Sequence, residues 1–212
     1  MGGAVGVKRN TGDRRLVGLT GNIATGKSEV ARILADLGAY VLDADKVAHE
    51  VMQPGGPAFD AVIASFGTEI LASDGTIDRE KLGAIVFADS AALERLEKAV
   101  HPATIAEVAR RIASAEASVV VVEAIKLIEA GIHHGCDALW VVTAPRSLQI
   151  DRLVTQRGLT VSQAVLRIDA QPSQEDKAAL ADLVIVNDGD LADLREKVKA
   201  AWIQLESSPS AQ

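Results

Sequence analysis

Leu16-Val17-Gly18-Leu19-Thr20-Gly21-Asn22-Ile23-Ala24-Thr25-Gly26-Lys27-Ser28 is the stretch that decides the fold. Its opening run, Leu16–Thr20, is short and apolar, which reads as a buried strand. Gly21 to Ser28 then matches the pattern G-x-x-x-x-G-K-[ST] in full. From Lys27 onward Val30, Ile33, Leu34 and Leu37 recur at helical spacing, and Gly38 stops the helix. Strand, loop and helix in this order make a phosphate-binding loop. Gly21 and Gly26 permit backbone angles that turn N–H groups toward phosphate oxygens, and the helix N-terminus at Lys27 adds favourable dipole charge. The expected ATP-binding residues are therefore Gly21, Asn22, Ile23, Ala24, Thr25, Gly26, Lys27, Ser28 and Glu29. Lys27 is expected to reach the β- and γ-phosphates, and the Ser28 hydroxyl to ligate Mg²⁺. The motif fixes nucleotide binding but not the acceptor.

Outward from the loop, Tyr40–Leu42 reads as a second strand that ends at Asp43-Ala44-Asp45. Val119-Val120-Val121-Val122 is wholly β-branched, as befits a parallel strand buried on both faces. Ala138–Thr143 and Leu183–Val186 complete a set of strands, Pro145 opens a helix with Leu148, Ile150 and Leu153, and Leu191–Leu205 is the last helix. Strands alternating with helices imply an α/β fold on a central parallel sheet. Two helical segments interrupt the alternation, Asp45–Ala117 and Gln156–Lys177. In the first, Pro57–Phe66 looks helical and Asp78 is placed to cap the helix of Leu82, Ile85 and Val86. Ser90 is placed to cap the next, and Pro102 to open a further helix running to Ile112.

The bulk composition narrows the function classes. The 212 residues are 48% hydrophobic and 24% charged, enough for a large core, but only 3% aromatic. Few aromatics and a formal net charge of -7 argue against a general nucleic-acid surface. Cys136 is the only cysteine, so no internal disulfide forms and a reducing, cytoplasmic setting is favoured. The Gly-rich, then basic, start carries no apolar signal-peptide stretch, Gly6 stands where a myristoylation signal wants Ser or Thr, and no apolar run is long enough to span a bilayer. Residues 1–15 and 207–212 are expected to be flexible tails.

The acceptor side rests on polar residues near the strand ends. Asp43 and Asp45 follow the second strand, the edge where α/β proteins bind ligands. Carboxylates there orient or deprotonate an attacking hydroxyl, or hold Mg²⁺ through water; equally, either one is a good N-cap for a following helix. If the strand continues that far, alternation puts both on one side. His49, four residues beyond Asp45, shares its helical face and reads as a phosphate contact or a surface His. Glu123 closes the valine strand as an acid of the Walker B kind, or as an ordinary strand-end charge. Arg152, Arg157 and Arg167 lie in or beside the second excursion, where arginines on a moving segment close on a transferring phosphoryl group, or form a solvated helix face.

With these residues in view the chain resembles dephospho-coenzyme A kinases. The resemblance runs from Leu16 to about Leu194, through Gly18-Leu19-Thr20-Gly21 and Gly26-Lys27-Ser28, Asp43-Ala44-Asp45 with Ala48-His49, Phe66-Gly67, and His101-Pro102. It continues in Arg167-Ile168-Asp169-Ala170-Gln171, Lys177, Ala181-Asp182 and Asn187-Asp188-Gly189. It implies a three-layer α/β/α P-loop kinase fold with a central parallel five-stranded sheet, a helical substrate-binding insertion and a helical lid. The nucleotide-binding core would be residues 16–44, 118–151 and 178–206, the coenzyme A subdomain 45–117, and the lid 152–177. The implied reaction is ATP-dependent phosphorylation of the ribose 3′-hydroxyl of dephospho-coenzyme A, with Mg²⁺, by a monomer or small homo-oligomer without nucleic-acid or membrane partners. Asp45, Lys27 and Arg157 are the implied catalytic residues. Thr20, Asp43, Asp45, His49, His101 and Leu127 would contact substrate, Asn187 and Gly189 would flank the adenine, and Asp43, Asp45 or Glu123 would hold Mg²⁺ through water beside Ser28. Asn22 and Ala24 stand where relatives usually carry Gly, which calls for negative φ at both. Ile125-Lys126-Leu127 replaces the family's Pro-Leu-Leu, and the usual lid arginine falls on Gln156, one residue before Arg157. The rival readings are another small-molecule kinase or a P-loop switch; Val186-Asn187-Asp188-Gly189-Asp190 does not match the guanine motif Asn-Lys-x-Asp of a GTP switch.

Overall fold

A computed structural model describes residues 14–207. The tails expected to be flexible lie mostly outside those residues, but Arg15 and Ser207 do not, because they belong to the first strand and the last helix. The described residues form two compact units, one drawn from the chain up to Leu42 and from Ala115 onward, the other Asp43–Ser114.

The first unit is built on a parallel five-stranded sheet with helices on both sides. Its strands are β1 (Arg15–Gly21), β2 (Tyr40–Asp43), β3 (Val119–Glu123), β4 (Ala138–Thr143) and β5 (Leu183–Val186), in the order β2-β3-β1-β4-β5. β1 pairs with β3 through Val17–Val121 and with β4 through Leu19–Trp140. The chain leaves β1 toward β2 on one side and later builds β4 and β5 on the other. The carboxyl end of β1 is therefore the switch point where such sheets bind ligands.

Burial on both faces follows from the sequence. Val119, Val120, Val121 and Val122 are all within 2% of complete burial, and each contributes roughly 1.5–3 kcal/mol relative to exposure. Period-2 alternation divides them. Val119 and Val121 share a cluster with Val17, Leu19, Trp140 and Val142, packed against α1 (Lys27–Asp36) and α9 (Leu191–Ser207). A charge at Val121 would have no route to water. The remaining helices of this unit are α6 (Arg146–Arg157), α7 (Val161–Asp169) and α8 (Gln174–Ala179). Thr160 and Gln163 close a capping box at the start of α7.

The second unit is helical: α2 (Ala44–Glu50), α3 (Phe59–Phe66), α4 (Arg79–Ala88) and α5 (Ser90–Ser114), with one isolated bridge, Leu71–Ile77. Asp78 caps α4 as expected, accepting from the N–H groups of Glu80 and Lys81. Two expectations fail. Pro102 opens no new helix; it lies inside the 25-residue α5. Val100, Thr104, Val108 and Ile112 form one buried stripe at four-residue spacing on either side of it, while Pro102 faces solvent, so packing of the stripe carries the helix through the lost hydrogen bond. The cap of α5 is Asp89, whose carboxylate accepts from the Ala91 N–H at 2.8 Å, with Ser90 already in the helix.

Candidate active site

Between β1 and α1 the loop Asn22–Gly26 turns its carbonyl groups into the protein. The Asn22 carbonyl accepts from the Thr25 hydroxyl at 2.9 Å, and that of Ile23 from Gln149 Nε2 at 2.7 Å. The Ala24 carbonyl accepts from Arg152, and that of Thr25 from Arg152 and from Asn187 Nδ2 at 2.8 Å. The Gly26 carbonyl accepts from the Glu29 and Val30 N–H groups. Two of the loop's donors are also bonded within the protein, the Ile23 N–H to Gln171 Oε1 and the Thr25 N–H to the Asn22 carbonyl. The N–H groups of Lys27 and Ser28 lie in the first turn of α1, where no preceding turn exists to bond them, so they suit an anion.

Gly26 has φ 95°, and a Cβ there would stand 2.1 Å from Asn187 Nδ2; only glycine meets both conditions. Ala24 corrects an expectation: its φ is +59°, not negative. It is the one described non-glycine residue at positive φ, and its methyl group packs among the apolar side chains of α6 and α7.

Lys27 Nζ pairs with the Glu123 carboxylate at 2.8 Å, across the loop from β3. Ser28 is exposed. In the second unit the Asp43 carboxylate accepts from the Lys46 N–H at 3.0 Å and caps α2. The strand stops at Asp43, so Asp43 and Asp45 do not share a strand face. Asp45 lies in the first turn of α2, and the His49 ring nitrogen Nδ1 stands 2.7 Å from the Asp45 carbonyl oxygen. Asp45, Lys46, His49, Glu50, Gln53 and Arg79 line a surface depression of about 510 Å³.

The sequence profile of the family described as dephospho-CoA kinase matches residues 15–193. The chain belongs to the dephospho-CoA kinase family. A dephospho-CoA kinase of Geobacter sulfurreducens is 44% identical over 190 residues, covering 88% of this chain and 96% of its own. A crystal structure from Thermus thermophilus superposes with a TM-score of 0.80 at 31% identity, over 91% of this chain and 98% of that one. A dephospho-CoA kinase structure from Campylobacter jejuni gives 0.67 at 27% identity, over 90% and 96%. The chain is thus a kinase that uses ATP to phosphorylate dephospho-CoA, the last step of CoA biosynthesis.

Within this dephospho-CoA kinase fold several expected site residues have other work. The Glu29 side chain pairs with Arg32 and its N–H is bonded to the Gly26 carbonyl; the Arg32 guanidinium holds the carboxyl below its usual range. Thr25 spends its hydroxyl on Asn22, and the Ile23 N–H donates to Gln171 Oε1 at 2.7 Å. Thr20 is buried and donates to the Ile125 carbonyl. Leu127 is fully buried, so its side chain offers no surface to a substrate. Asn187 turns its amide donor to the loop, and Gly189 follows Asp188, whose carboxyl is held below its usual range by Lys197. Arg152 is bonded to loop carbonyls and to the Asn187 carbonyl, whereas Arg157 and Arg167 are exposed on α6 and α7. His101 is exposed on α5.

The structural roles of two residues escaped the sequence reading. Gln149 is completely buried and holds Ile23; its signal was a polar residue four before Leu153, on the apolar face of α6. Lys177, 4% exposed, donates to the Ile125 carbonyl at 2.8 Å and pairs with Glu129 at 3.2 Å. Glu129 follows β3 by six residues, and no local pattern links it to Lys177. Among the described residues no helix is long and apolar enough to cross a membrane.

Proposed function

We propose that the acceptor is the ribose 3′-hydroxyl of dephospho-CoA and that the γ-phosphoryl group of ATP is transferred to it in line. The hydroxyl oxygen forms the new bond to the γ-phosphorus, the bond to the β–γ bridging oxygen breaks, and ADP leaves. Asp45 accepts or orients the departing proton. The observation that carries this reading is the loop whose carbonyl groups from Asn22 to Gly26 are all bonded inward, with Lys27 at its end. Such a loop is organised before nucleotide arrives, and catalysis of phosphoryl transfer is mainly positioning and charge stabilisation. On binding, Lys27 exchanges Glu123 for the β- and γ-phosphates. Arg157 and Arg167 approach the transferring group as the lid closes.

The oxygen donors beside the loop suit Mg²⁺, a hard cation. The exposed Ser28 hydroxyl would hold it directly, and Glu123, released by Lys27, through water. Asp43 is the weaker candidate because its carboxylate caps α2. When bound, Mg²⁺ supplies charge neutralisation on the phosphates. A reaction fed by ATP and dephospho-CoA fits the cytoplasm.

The test is ADP release measured with dephospho-CoA and with its 3′-deoxy analogue. Turnover is expected only with the hydroxyl present. Equal rates with both compounds would remove the 3′-hydroxyl as acceptor.

A further inference from the structure

We propose that Asn22 is a positioning residue for ATP binding, latching the phosphate loop to Gln171–Pro172 at the C-terminal root of the lid. The proposal rests on reading residues 152–177 as that lid. Asn22 is buried, and its Nδ2 donates to the Pro172 carbonyl at 2.7 Å. The adjacent Ile23 N–H donates to Gln171 Oε1, also at 2.7 Å. Two neighbouring loop residues thus hold two neighbouring residues about 150 positions away.

The other root of the lid is held to the same short stretch. Gln149 and Arg152 of α6 donate to the Ile23 and Ala24 carbonyls. Between the two roots, Ala164 and Ile168 of α7 share an apolar cluster with Leu153, against which Ile23 and Ala24 pack. α7 therefore lies between two anchors that are both on the phosphate loop. A shift at either anchor displaces Ile23–Ala24, and with it the neighbouring N–H groups that face the phosphates. Pro172 makes a stiff anchor because its ring fixes φ.

The amide of Asn22 is unevenly used. Its Oδ1 is buried and has no partner among the described residues. A side chain kept only to fill space or stabilise the fold would be better apolar, because an unmet buried acceptor opposes stability. Reversing the amide would set two oxygens against each other at Pro172. Asn22 is held for the one bond that it donates.

Asn22→Ala and Gln171→Leu, each made singly in the full chain and checked for native circular dichroism, test the latch. Both are expected to speed hydrogen exchange in residues 170–174 and to raise the KM for ATP by about threefold to tenfold. kcat should change by less than about twofold, the pattern of lost positioning for binding. Unchanged exchange at 170–174, or a lowered Tm with both kinetic constants intact, would overturn the latch. Exchange in residues 158–169 of the unmodified protein, with and without a non-hydrolysable ATP analogue, tests the underlying lid separately. Absence of protection there overturns both ideas, whereas protection with unaltered exchange at 170–174 in the variants overturns the latch alone.

Discussion

Lys27 Nζ lies 2.8 Å from the Glu123 carboxylate, in an ion pair whose side chains are only 11% and 9% exposed. Glu123 is the counter-ion of the loop lysine. Removing it leaves a nearly buried cation uncompensated. For fully buried pairs the loss is roughly 3–5 kcal/mol; with some exposure here, about 2 kcal/mol is expected for Glu123→Gln. That corresponds to a fall in Tm of about 4–8 °C. ATP supplies a replacement anion, so the deficit should shrink when thermal unfolding is repeated at saturating ATP. An equal deficit with and without ATP would mean that Lys27 does not change partners.

Lys27 and Asp45 are proposed to act on the same step in different ways, which kinetics separates. Asp45→Asn keeps the shape of the first turn of α2 and removes the charge. It should leave ATP affinity, measured by calorimetric titration, unaltered and lower kcat by about 10²–10⁴-fold, the span of general-base contributions. Lys27→Ala should lower kcat by about 10²–10³-fold, as for other lost donors to a developing charge. Normal turnover by Asp45→Asn would return the base assignment to open ground.

The residues differ in how far local sequence could reveal them. The valine strand and the Gly21–Ser28 loop were legible because their signals are local: continuous β-branched residues, and a motif between an apolar run and a helical period. The ties that shape the loop were not, since Gln149 meets Ile23 across 126 residues and Asn22 meets Pro172 across 150. The cap of α5 was misread by one residue because Asp89 and Ser90 are both good caps, and Pro102 was misread because packing of Val100, Thr104 and Val108 outweighs one missing N–H. Leu127 was assigned to substrate on resemblance, and its burial against the sheet is a tertiary fact.

The two unusual backbone positions of the loop should respond unequally to substitution. Gly26→Ala meets a left-handed backbone, worth roughly 1–2 kcal/mol against a side chain. It also pushes Asn187 from the Thr25 carbonyl, a hydrogen bond worth about 1 kcal/mol. The sum predicts a Tm lower by about 4–12 °C and weakened ATP binding. Ala24→Gly relieves a similar backbone cost, but the freer unfolded chain offsets it by roughly 0.4–1 kcal/mol. Its Tm should stay within a few degrees of the unmodified protein, with ATP affinity retained. Thermal melts and titration of both variants check the pair. A Gly26→Ala protein that binds ATP normally would contradict the packing described at Asn187.

Cys136 gives a prediction in pH. Its thiol is pushed up from 9.0 to about 12, by burial first and then by the Asp137 charge, and its Sγ faces the Ile132 carbonyl. Below about pH 9 both folded and unfolded chains hold this proton, and the stabilising contribution is fully present. Between about pH 9 and 12 the unfolded chain releases the proton while the folded chain keeps it, so stability is lost as pH rises. Cys136→Ala removes the titrating group, and its Tm should fall less between pH 9 and pH 11 than that of the unmodified protein. Reactivity reads out the same shift. At pH 8 the thiolate fraction is about 10⁻⁴ in the folded chain against about 10⁻¹ unfolded, so alkylation by iodoacetamide should be roughly 10³-fold slower in the native protein. Comparable alkylation rates in native buffer and in denaturant would show that the thiol is not raised.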